Sequence, residues 1–67
     1  MTLQEMLEII KEVHHLFGEE YLEMPSIVLG NAITNRIRLR YVRSPIAYKQ
    51  TQKYRNEILQ LYYDLSQ

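Results

Sequence analysis

The stretch Arg36-Ile37-Arg38-Leu39-Arg40-Tyr41-Val42-Arg43 constrains this chain more than any other. Apolar and cationic side chains alternate there with a period of two, the pattern of a strand with one face buried and one in water. Ile37, Leu39 and Tyr41 then fall on one side, and Arg36, Arg38 and Arg40 on the other. Wound into a helix, the same residues would scatter their apolar groups around the axis. The octapeptide is therefore expected to be extended, with the rest of the chain arranged about it.

A partner strand is expected just upstream, over residues 26–33. Ile27-Val28-Leu29 is too short for periodicity to separate a strand from a helical turn, and nearness to the alternating stretch favours the strand. A two-residue turn at Gly30-Asn31 would leave most of the arginine-bearing strand unpaired. A turn at Thr34-Asn35 pairs Ile33 with Arg36, Ala32 with Ile37, Gly30 with Leu39 and Val28 with Tyr41, and this register is adopted. The competing reading is a helix from residue 26 to about 35, which makes the chain an all-α, three-helix protein.

Helical signals flank the predicted hairpin. Leu3, Met6, Leu7, Ile10, Val13, His14 and Phe17 recur at steps of three and four, widened by Ile9 and Leu16, and predict an amphipathic helix over residues 2–17. Thr2 with Glu5 three residues on resembles a capping box, and Gly18 stands where a helix-ending glycine belongs. Residues 19–24 are a further helical turn or a loop, closed by Pro25. Ser44-Pro45 supplies an N-cap and a first helical position for a last helix, with Ala47, Thr51, Tyr54, Ile58, Leu61 and Leu65 as its inner stripe. Tyr48, Leu59 and Tyr62 flank that stripe. The expected fold is α+β, helix–β-hairpin–helix (α-β-β-α).

Sixty-seven residues make at most one domain, 1–67, and so short a chain buries only about 60 % of its unfolded surface. With no cysteine, neither disulfides nor thiolate metal sites can reinforce it, and oligomerisation is the remaining common support. Two hairpins meeting edge to edge would form a four-stranded sheet across a homodimer and cover the exposed edges. No apolar run approaches the roughly 18 residues of a membrane span, and no signal-peptide pattern opens the chain. The lack of cysteine fits a reducing compartment, so a soluble, cytoplasmic protein is expected.

Net charge is zero but unevenly laid out. Residues 1–24 carry six glutamates against Lys11, a net of −5; residues 25–67 carry five arginines and two lysines against Glu57 and Asp64, a net of +5. Such asymmetry hints at an interaction surface. The candidate surface is the arginine ladder Arg36, Arg38 and Arg40, with Arg43, Lys49, Lys53 and Arg55 nearby. Tyr41 and Tyr48 join it, because a tyrosine ring buries area while its hydroxyl stays wet. The cations could equally face water or pair with the six glutamates, although exposed pairs are each worth only about 0–1 kcal/mol. Two-stranded ribbons do enter the DNA major groove, yet a balanced overall charge weighs against a dedicated nucleic-acid binder.

Chemistry beyond binding has little support. Adjacent helical residues point about 100° apart, so His14 and His15 cannot easily share a metal ion. No serine has a nucleophile-elbow context, neither glycine belongs to a phosphate loop, and the carboxylates do not converge with a base. The expectation is a small non-catalytic regulatory or adaptor protein that binds a protein partner or itself through a basic hairpin. A nucleic-acid-binding regulator using the same arginines is the alternative. No metal, cofactor, membrane or small-molecule substrate is expected.

Overall fold

The computed structural model describes residues 1–67 and is helical throughout: α1 (Leu3–Phe17), a 3-10 turn (Gly18–Glu23), α2 (Ser26–Arg40) and α3 (Tyr48–Leu65). There is no strand, so the expected α-β-β-α fold, its hairpin register and the sheet-completed homodimer are all overturned. The chain takes the competing three-helix form. Its second helix runs beyond the expected end near residue 35, to Arg40, and absorbs most of the alternating octapeptide.

The physical reason lies upstream of the arginines. Leu29, Ile33 and Ile37 recur every four residues and are completely buried, with Ala32 beside them. A fully buried aliphatic side chain is worth about 1.5–3 kcal/mol, an upper figure for a real unfolded state. Three of them outweigh a two-residue alternation of which Leu39 stays 71 % exposed and Tyr41 only half-buried. Arginine and leucine are also good helix formers, and a helix satisfies its own backbone without leaving a sheet edge. Ile37 belongs to the four-residue stripe, and the alternation around it is incidental.

α1 starts and stops where its sequence says. The Thr2 hydroxyl accepts from the Glu5 amide at 3.2 Å, while the Thr2 amide donates to Glu5 Oε1 at 3.0 Å. The closed capping box satisfies two backbone donors that a helix start otherwise leaves without partners. The Thr2 amide, then its hydroxyl, holds the Glu5 carboxyl below the ordinary 4.5. At the other end Gly18 takes φ 60° and ψ −147°, a conformation open essentially to glycine alone. The buried face is narrower than the expected stripe. Ile9, Ile10 and Val13 are buried and Met6 and Phe17 half-buried, while Leu3, Leu7 and Leu16 remain exposed. Two packed neighbours cover only the centre of an apolar face this wide.

α3 begins at Tyr48, three residues after the expected first position, and its N-cap Ala47 offers no side-chain hydrogen bond. Ser44 and Pro45 belong to the connecting loop. Of the predicted inner stripe, Thr51 and Ile58 are buried, Tyr54 and Leu61 are half-buried, and Ala47 and Leu65 face solvent. Tyr62, expected at the flank, is only 2 % exposed. Its ring packs 4.8 Å from that of Tyr21, and its hydroxyl lies 3.2 Å from His14 Nδ1. Burial pushes that hydroxyl up to about 12, so it stays protonated and can donate to the imidazole. The core therefore runs from this aromatic cluster through Ile9, Val13, Ile33 and Ile58 to Ile37, and no buried side-chain polar atom lacks a partner.

Candidate functional site

Helical geometry breaks the arginine ladder into two groups. Residues four apart share a face, whereas residues two apart lie about 200° from each other around the axis. Arg36 and Arg40 therefore turn towards α1, and Arg38 points away from it. The expected joint projection of Arg36, Arg38 and Arg40 does not occur.

On the α1 side the arginines are already engaged. Arg40 grips Glu12 with both terminal nitrogens, Nη2 to Oε2 at 2.6 Å and Nη1 to Oε1 at 3.4 Å, and lies 3.9 Å from Glu8. Arg36 Nε stands 3.6 Å from Glu12 Oε1. Both guanidinium groups also donate to carbonyls one turn back on α2, Arg36 to Ala32 and Arg40 to Arg36. The hydrogen bond from Arg40 outweighs the opposing effect of burial and, with lesser help from the charges of Arg40 and Arg36, holds the Glu12 carboxyl below its ordinary 4.5. This seam is a two-point fork of the strong kind, but Glu12 remains partly in water and the gain is screened. Arg36 and Arg40 join helices; they leave the candidate binding surface.

On the opposite side, Arg38 from α2 and Arg55 from α3 line one cleft of about 350 Å³ between the two helices. Asn31, Thr34 and Asn35 form its α2 wall, and Tyr48, Thr51 and Gln52 its α3 wall. No acidic side chain lines it, and neither arginine takes part in an ion pair. The Arg55 stem lies against α2 at Gly30, where even a Cβ would sit at ordinary contact distance, 3.5 Å from Arg55 Cδ. Gln52 Nε2 donates to the Tyr48 hydroxyl at 2.9 Å, which leaves the phenol proton free to point outward. Guanidinium, amide and phenol groups make the cleft rich in donors, as an anionic ligand requires.

An apolar pocket of about 390 Å³ opens beside the cleft, walled by Tyr41, Val42, Pro45 and Ile46. Arg38, Tyr48 and Thr51 line both spaces, so the two adjoin. Tyr41 is braced from behind by a stacked Tyr54 ring, with centroids 6.3 Å apart. Of the remaining predicted residues, Arg43 lies exposed in the loop, and Lys49 and Lys53 are exposed on α3 outside the cleft. Asn31, Thr34, Asn35 and Gln52 were not anticipated. Their signal was the three- and four-residue spacing of Asn31, Thr34, Asn35 and Arg38, which has meaning only once residues 26–40 are read as a helix.

At the far end of the molecule, the aromatic cluster fastens the 3-10 turn. Tyr21 is buried against His14 and Tyr62, and His14 Nε2 lies 3.7 Å from Glu19. No group of three potential metal ligands comes together, and no helix is long and apolar enough to cross a membrane. No protein-family model, curated protein or solved structure matches this chain.

Proposed function

We propose that this chain is a non-catalytic adaptor or regulatory protein that binds an acidic protein segment at the α2–α3 junction. The observation that supports this reading is that the two spaces adjoin, with Arg38, Tyr48 and Thr51 in the lining of both. Carboxylates can pair with Arg38 and Arg55 while an apolar side chain of the same segment enters the pocket at Val42, Pro45 and Ile46. An anion alone would not use the pocket, and an apolar ligand alone would not use the cleft. A cytoplasmic setting accords with the cysteine-free sequence.

Nucleic acid is the second reading, favoured by the exposed cations Arg43, Lys49 and Lys53 and by the exposed Tyr48 ring, on which a base can stack. Selection from a random peptide library on the full chain separates the two. Enriched peptides should place Asp or Glu beside Leu, Ile or Phe, and the double change Arg38→Glu, Arg55→Glu should weaken them tenfold or more. Enrichment without acidic bias, together with duplex binding that falls steeply with salt, would replace the protein-partner reading by the nucleic-acid one.

A further inference from the structure

The chain carries, at its other end, a segment with the chemistry that this cleft and pocket ask for. Glu19, Glu20 and Glu23 surround Leu22 on the 3-10 turn, and Leu22 is 64 % exposed. Glu19 touches only the half-exposed His14, while Glu20 and Glu23 are in no ion pair. Tyr21, one residue before the exposed leucine, is buried in the aromatic cluster, so the turn is held in place before it meets anything. A pre-ordered segment loses less conformational freedom on docking than a loose one.

Within one molecule the two features do not meet. The turn packs on α1, and no residue of it lines the α2–α3 cleft or the pocket beside it. We infer that a second copy of this chain is a partner of the cleft, its Glu20 and Glu23 facing Arg38 and Arg55 and its Leu22 entering the pocket at Val42 and Ile46. The inference rests on the binding role proposed for that surface. It also accounts for the charge layout, −5 in residues 1–24 against +5 in residues 25–67, which one molecule discharges only through Arg36 and Arg40. The contact is heterologous: turn and cleft are different patches, so every docked copy still offers one of each, and growth is head to tail.

Sedimentation equilibrium of the full chain between about 10 µM and 1 mM tests this, the range in which small transient contacts become populated. The average mass should rise with concentration at low salt and fall back towards one chain as salt is raised. Two variants, each confirmed helical by circular dichroism, isolate the two patches. Arg38→Glu with Arg55→Glu keeps the turn, and Leu22→Asp keeps the cleft; each alone should associate at least tenfold more weakly. Mixed in equal amounts they should form a one-to-one pair that grows no further, because only one good turn and one good cleft remain. A wild-type chain that stays monomeric throughout, variants that associate like the wild type, or a mixture that fails to pair would each overturn the inference. Selected acidic peptides that still bind a strictly monomeric chain would overturn self-docking alone, whereas loss of both removes the binding role as well.

Discussion

Arg40 and Arg38 stand two residues apart on one helix and meet opposite fates. Arg40 is pressed between helices with Glu8 and Glu12 across from it, whereas Arg38 opens onto a cleft that contains no acid. The side chains are chemically identical. What differs is the neighbour: α1 carries its glutamates along the edge it turns to α2, and α3 offers Thr51, Gln52 and Arg55 instead. A cation's role in a small helical protein is thus set by the helix opposite, and neutralised arginines serve as seams while those left over make a surface.

The sharpest way to break this contrast is to remove what holds both faces in place. Ile37 is fully buried beneath them, and Ile37→Ala should cost about 2–5 kcal/mol. A chain of this length has only about 3–10 kcal/mol in total, so urea unfolding should show a midpoint shifted far down or a largely unfolded population. A loss below about 1 kcal/mol would mean that Ile37 is not the buried link between the two faces.

A smaller effect separates the arginines themselves. Arg40→Met should destabilise the chain by about 1 kcal/mol through loss of the fork to Glu12, while Arg38→Met should stay within about 0.5 kcal/mol. A double-mutant cycle with Glu12→Gln sharpens the result: a coupling of about 0.5–1 kcal/mol for Arg40 and none for Arg38. Equal couplings would place both arginines in the same environment and dissolve the distinction.

The smallest effect is read in acid. In the folded chain Glu12 gives up its proton below the ordinary 4.5, so the folded state holds fewer protons than the unfolded state in that range. The contribution of the seam is complete above pH 4.5 and is lost as pH falls through the lowered folded value. With Glu12 partly in water the loss should stay below about 1 kcal/mol, and Glu12→Gln should flatten the acid limb of the stability curve. An unchanged acid limb would show that the fork is not formed in solution.

The first helix was legible residue by residue, whereas the hairpin expected after it was not there to be found. Thr2, Glu5 and Gly18 mark the ends of α1 by short-range hydrogen bonding and backbone freedom, which need no knowledge of the fold. The candidate surface was legible in part: Arg38, Arg55, Tyr41 and Tyr48 line the cleft and its pocket, while Arg36 and Arg40 do not. The polar wall from Asn31 to Gln52 is invisible in the sequence because its residues come from two helices, one of which the local alternation presents as a hairpin. Ser44-Pro45 shows the limit of local signals from the other side, a good helix start that the chain passes by before α3 begins at Tyr48.

Local signals suffice for the first helix, for the division of charge between the two halves, and for a chain too small to bury every apolar side chain it carries. The helical state of residues 36–40, and the choice of which arginines pair with acids, are properties of the packed molecule. Both depend on partners distant along the chain: Leu29, Ile33 and Ile37 gain their burial only when α1 and α3 close over them, and Arg40 finds Glu12 only across that same contact. A two-residue alternation is a local pattern of solubility, and burial in a core shared by three helices outweighs it.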